Sequence, residues 1–244
     1  MSETNRIGFG KKIRGKWLLA AIRLRSEGIP FETARGKIET LVSVTNPGQE
    51  AIRKAISNIR QVVFEPAPAN AAHSADGIAL FKRLGDRSGL SIAWGLSITS
   101  YSFVAATAET IGRLLKLQKE FTAADMSRRL TEKLGERGFV QRVARYNLSS
   151  FLDWGIVGCN PGAKTYTPGS LIKVESEELL AWLVEAVLIA SGQAGMPFNH
   201  AVSSPLLFPF SFEPAAAVVI ASKNPRLHVS RESLAEEYIG LTYV

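Results

Sequence analysis

The sequence predicts a mainly α-helical protein whose last third is a small α+β region. Three observations carry this prediction. Apolar side chains recur at helical spacing through most of residues 11–154. Gly, Pro, Asn and Ser cluster at a few points that break this periodicity into separate helices. Residues 191–214 then change character, mixing Gly, Pro, Ser and aromatics (Met196-Pro-Phe, Pro205-Leu-Leu-Phe-Pro-Phe).

The elements follow in order. Lys11 to Glu27 reads as a helix with Ile13, Trp17, Leu18, Ala21, Ile22 and Leu24 on one side, closed by Gly28 and Pro30. Phe31 to Val44 is a second helix, with Ala34, Ile38, Leu41 and Val42 inward. After the turn Thr45-Asn-Pro-Gly48, Gln49 to Phe64 is a third, its stripe formed by Ile52, Ala55, Ile56, Ile59 and Val63. Glu65 to Ala75 is rich in Pro and Ala and reads as a linker or long loop. Asp76 to Leu84 fits a short helix, and Asp86-Arg-Ser-Gly89 a turn. Ser91 to Ser100 is apolar and small, which suits helix and strand equally. Phe103 to Lys116 is a clear helix. The three-helix grouping before each break resembles a duplicated plan.

Thr122 and Asp125 form a capping-box-like start for a helix over Ala123–Leu134, which Gly135 closes. A longer helix runs from about Glu136 to Trp154, with Val140, Val143, Ala144, Leu148, Phe151 and Leu152 buried. Gly155-Ile-Val157, the tight turn Cys159-Asn-Pro-Gly-Ala-Lys164 and Thr165-Tyr-Thr167 follow. Helix, Gly, aliphatics, Gly-containing turn and second extended segment are the order of a winged helix-turn-helix domain. Beyond it, Glu177 to Ala190 reads as a helix whose acidic start suits a helix N-terminus. Leu227–Val229 reads as a strand, and Ser230 as the N-cap of a short helix to about Tyr238. The predicted organisation is therefore tandem helix-turn-helix-like helical modules, the second a winged helix: residues 1–75, 76–172, and an acidic α+β region at 173–244.

Composition limits function. The chain has 244 residues, 46% of them apolar, enough for a sizeable core. One cysteine rules out a disulfide scaffold, and His73, His200 and His228 leave little for a metal cluster. His73 is expected in a solvated loop, His200 in a loop and His228 on a strand face. No metal or cofactor is expected. No nucleophile–base arrangement, P-loop or nuclease-like carboxylate motif stands out, so a non-enzymatic role is expected. Met1 to Arg6 lacks a secretory apolar region, and no apolar run is long enough to span a bilayer, so a cytoplasmic protein without a membrane segment is expected.

Charge points to a partner. The formal net charge is +7, but residues 1–80 carry +5, 81–172 carry +6 and 173–244 carry −4. A polyanion is drawn to the first two thirds. On the long helix, Arg137, Gln141, Arg142 and Arg145 project from the first half, with Tyr146 and Asn147 nearby. Arg suits guanine and Gln suits adenine in the major groove. Lys164 and Tyr166 on the wing, and Lys12, Arg14, Lys16, Arg53, Lys54 and Arg60 on the N-terminal helices, are the backbone-contact candidates. The acidic last third suits a protein partner.

The N-terminal helices, the Lys54–Phe64 segment, the Asp76–Trp94 stretch, Tyr101-Ser-Phe-Val-Ala and the winged-helix-like segment together resemble the BrxA family. This is the A component of the BREX bacterial phage-defence system. The resemblance covers about residues 10–158, and the acidic region from about residue 175 departs from it. It implies a small, mostly helical, double-stranded DNA-binding protein without a catalytic centre, working beside other defence proteins. Two alternatives stay open: a sequence-specific winged-helix transcription regulator, and a defence-complex scaffold that binds only proteins.

Overall fold

The computed structural model describes residues 8–45, 48–135, 138–231 and 237–242. Its first helices are α1 (Gly15–Ser26), α2 (Phe31–Ser43) and α3 (Gln49–Ile59). Helix α1 begins four residues later than periodicity predicts. The Ile13 N–H donates to Ser150 Oγ at 2.9 Å, and the Ile13 carbonyl accepts from the Trp154 indole at 2.9 Å. These distant bonds occupy backbone groups that a helix would use. Lys11–Arg14 are therefore not helical, although Ile13 is fully buried as expected.

Helix α3 runs into a π-helical turn, Arg60–Phe64, where an unbroken α-helix was expected. The stretch read as a linker is mostly ordered helix. Pro68–Asn70 form a 3₁₀ turn and α4 covers Ala71–Leu84, so His73 and Ser74 lie within it and are buried. Asn70 Nδ2 donates to the Thr99 carbonyl at 2.8 Å, and Arg25 donates to Ser74 Oγ at 2.7 Å. The undecided Ser91–Ser100 stretch belongs to helix α5 (Gly89–Ser100). Every side chain from Ser91 to Ile98 is buried. A helix covered on all sides has no polar face, and so no periodicity.

Helix α6 (Ser102–Leu117) leads to strand β1 (Phe121–Thr122), then α7 (Ala123–Leu134) and α8 (Gly138–Asp153). The capping box is formed in full: Thr122 Oγ1 accepts from the Asp125 N–H at 3.1 Å and Asp125 Oδ2 from the Thr122 N–H at 3.0 Å. Strands β2 (Val157–Asn160) and β3 (Thr165–Pro168) make an antiparallel hairpin. β1 adds to its other edge, Phe121 opposite Tyr166, giving the order β1-β3-β2.

The last third contains β4 (Ile172–Lys173), α9 (Glu177–Ser191), β5 (Gly195–Pro197), α10 (Phe198–Val202), β6 (Phe210–Ser211), α11 (Ala217–Ser222), β7 (Leu227–Arg231) and β8 (Glu237–Leu241). It is α+β, as expected. β4 and β6 pair in parallel, and β5-β8-β7 form an antiparallel sheet. Ser230 is not a helix N-cap: it pairs with Tyr238 across β7 and β8. His200 stands on the short helix α10, not in a loop, and His228 lies on β7 with an exposed side chain.

Buried apolar side chains from Phe9 to Ile239 form one cluster. Two indoles organise it. Trp94 on α5 lies 5.0 Å from the Phe151 ring and 5.6 Å from Phe208, and donates to the Leu206 carbonyl at 3.0 Å. Trp182 on α9 fits between α4 and α5 because those helices present Gly77 and Gly95. A Cβ added there would lie 2.5 and 2.3 Å from the indole carbons. Among the described residues, no single helix is long and apolar enough to cross a membrane.

Candidate nucleic-acid interface

Helix α8 is amphipathic. Val140, Val143, Ala144, Leu148 and Phe151 are buried against the rest of the fold. Gln141, Arg142 and Arg145 are left exposed on the opposite side. Among the described residues neither arginine has an acidic partner. Arg137 lies outside the described residues. Asn147 is not on this face. It is fully buried and donates through Nδ2 to Thr107 Oγ1 at 2.9 Å, joining α8 to α6.

The segment before α1 runs along α8. Lys11 Nζ stands 5.6 Å above the Tyr146 ring, a cation–π contact. Two residues on, Ile13 meets Ser150. Then Lys12 Nζ lies 3.1 Å and Arg14 Nη1 3.3 Å from the same Asp153 oxygen, while Asp153 Oδ2 accepts from the Gly15 N–H at 3.1 Å. Arg142, Tyr146, Ser150 and Asp153 follow at steps of three or four residues and so share a stripe of α8. Lys11, Lys12 and Arg14 therefore lie along the α8 stripe that Arg142 begins. Lys11 and Lys16 have no acidic partner among the described residues. Lys12 and Arg14 share Asp153.

Lys164 sits exposed in the β2–β3 turn with a left-handed φ of 54°, also without an acidic partner among the described residues. Tyr166 is only half available. Its ring stacks on Phe121 at 5.4 Å across the β1–β3 pair, so it first serves to hold β1 on the hairpin. Arg53, Lys54 and Arg60 belong to another cluster. Arg53 and Lys54 both pair with Glu50, the latter at 3.0 Å. Arg60 pairs with Glu65 at 2.6 Å, which holds its pKa above the ordinary value, and lies over the Phe31 ring. Their charge is largely met within the chain.

A second polar constellation was not read from the sequence. His73 is not solvated: it is buried on α4, stacked on Trp182 with ring planes 3° apart, and its Nδ1 lies 3.1 Å from Glu185 Oε2. Glu185 also accepts from Arg226 Nε at 2.6 Å, Arg226 Nη2 at 2.9 Å and Asn224 Nδ2 at 2.7 Å. Burial pushes the Glu185 carboxyl up. The close approach of His73 and the hydrogen bonds from Arg226 and Asn224 outweigh it and hold the pKa at about 2. The only sequence signal was a lone carboxylate inside the apolar run Leu179–Ala190. Its partners lie far away in the chain.

A cleft of about 450 Å³ lies between α6 and α7, bounded by Glu109, Arg113, Leu114, Leu117 and Lys133. Of its two carboxylates, Glu109 is taken up by Lys133 at 2.5 Å and Arg113 at 2.6 Å, and Glu132 by Arg128 at 3.2 Å. Burial raises the Glu109 pKa, but these cations bring it below the ordinary value. Among the described residues no cluster of three or more His, Cys, Asp or Glu is arranged to hold a metal ion. The chain matches no protein-family model, no curated protein and no solved structure.

Proposed function

We propose that this chain is a non-enzymatic double-stranded DNA-binding protein. The observation that carries the reading is the exposed face of α8, where Gln141, Arg142 and Arg145 are exposed and Lys11 lies over Tyr146 of the same helix, and where neither arginine nor Lys11 has an acidic partner among the described residues. We read α6, β1, α7, α8, β2 and β3 as a winged helix, with α7 and α8 as its helix-turn-helix and the β2–β3 hairpin as its wing. In that reading the N-terminal half of α8 enters the major groove. Arg142 and Arg145 face guanine edges or phosphates, Gln141 faces adenine, and Lys164 reaches the backbone from the wing. The N-terminal helices form the other module of the tandem.

The resemblance to the BrxA family supports the same class of ligand. With it comes the proposal that the protein acts in the cytoplasm, in BREX-like phage defence, beside other defence proteins that the acidic last third contacts. Fluorescence anisotropy of a short labelled duplex of random sequence tests the reading across about 50 to 200 mM salt. Five cations (Lys11, Lys16, Arg142, Arg145 and Lys164) give an expected log–log slope of about −4.5, near −0.9 per phosphate neutralised. Binding that is absent at low salt, or flat with salt, would overturn the reading and favour a protein scaffold. A large preference for one operator would favour the transcription regulator.

A further inference from the structure

We propose that Asp153 is an internal counter-anion of the nucleic-acid surface, one that holds back Lys12 and Arg14 and so sets the affinity. The inference rests on the DNA-binding reading above. Its starting point is the oxygen of Asp153 that both cations share, at 3.1 and 3.3 Å. Asp153 lies on the same stripe of α8 as Arg142, eleven residues on, or about 16 Å along the axis. The stripe thus runs from a free arginine, past Lys11 on Tyr146, to a carboxylate with two cations. A carboxylate offers Lys and Arg the same charge-assisted hydrogen bonds that a phosphate does. Asp153 thus makes to Lys12 and Arg14 the kind of contact that a phosphate would otherwise make.

The position of Asp153 is costly by itself. A carboxylate in the last turn of a helix faces the negative end of the helix dipole. Two things offset this: the cations, and the N-terminus of α1, whose Gly15 N–H donates to Asp153 Oδ2. The side chain therefore has a structural task and an electrostatic one. They separate cleanly, because asparagine keeps an acceptor for Gly15 and removes the charge. With the charge gone, Lys12 and Arg14 stay where Ile13 and Gly15 anchor the segment, but become free to meet phosphate.

The test uses the full chain, the same random duplex and the same salt series. D153N is expected to bind about tenfold more tightly and to steepen the slope by up to about 2, one increment for each cation released. A residue with only a structural role would not strengthen binding when removed. The pair K12Q/R14Q is expected to change affinity less than about threefold in the native background, and to abolish the gain when added to D153N. D153N that binds equally or more weakly than the native chain, with an unchanged slope, would overturn the proposal. Should D153N fail to fold, K12Q/R14Q decides alone: a loss of tenfold or more would show that Asp153 does not hold these cations back. A native chain that ignores DNA altogether overturns the DNA-binding reading and this inference together. Native binding with an unresponsive Asp153 overturns only the inference.

Discussion

Glu185 on α9 accepts two hydrogen bonds from the guanidinium of Arg226, at 2.6 and 2.9 Å, and its side chain is only 2% exposed. Arg226 in turn reaches Asp76 on α4 at 2.8 Å. One arginine just before β7 thus fastens the C-terminal sheet to two helices of the main body. Removing it would leave the buried Glu185 carboxylate with only Asn224 and His73 beside it, which costs up to about 3–5 kcal/mol. Arg226→Ala is expected to lose that much stability in urea denaturation. Arg83→Ala breaks the exposed pair with Glu178, which is of similar length at 2.7 Å, and is expected to cost under about 1 kcal/mol. Equal losses in the two variants would mean that burial does not govern these ion pairs.

The same carboxylate makes stability depend on acid. Its folded pKa of about 2 lies below the ordinary 4.5, so the ionised form stabilises the fold above pH 4.5. That contribution is lost as pH falls from 4.5 through 2, and is on the order of 3 kcal/mol. Thermal melts of the native chain are expected to fall steeply over this window. Those of Glu185→Gln, starting from a lower melting temperature, are expected to fall less. Parallel pH curves would place the acid sensitivity elsewhere.

Gly95 lies against the Trp182 ring, and an added Cβ would stand 2.3 Å from two ring carbons. Alanine favours a helix over glycine by about 1 kcal/mol. Forcing a rigid, fully buried indole aside costs about 1–3 kcal/mol or more. The clash outweighs the gain, so Gly95→Ala is expected to destabilise by up to about 2 kcal/mol on balance. Gly36→Ala is a control on α2: nothing lies within 4 Å of the added Cβ, and the change is expected to be neutral or stabilising. A stable Gly95→Ala would show that Trp182 has room to move.

What was legible in the sequence follows the range of the interactions. The Thr122–Asp125 box starts α7, and its partners are three residues apart, so local pattern found both it and the helix limits. The exposed face of α8 was legible for the same reason, since Gln141, Arg142 and Arg145 stand out against a regular buried stripe. Long-range partners were not. His73 was read as a loop residue because Trp182 and Glu185, which cover it, come more than a hundred residues later. Lys12 and Arg14 were read as free cations on a helix. Their segment is instead pinned along α8 by Ser150, Asp153 and Trp154, which no local pattern announces. Helix α5 gave no period because its neighbours cover every side.

In the proposed function, the exposed face of α8 holds the duplex. The double variant Arg142→Ala/Arg145→Ala changes two exposed side chains, so the fold should persist, as circular dichroism can verify. Compared with the native chain by duplex anisotropy, it is expected to bind more than about tenfold more weakly, with a salt slope shallower by about 2. A variant that binds with the native affinity and slope would contradict the account and remove α8 from the interface.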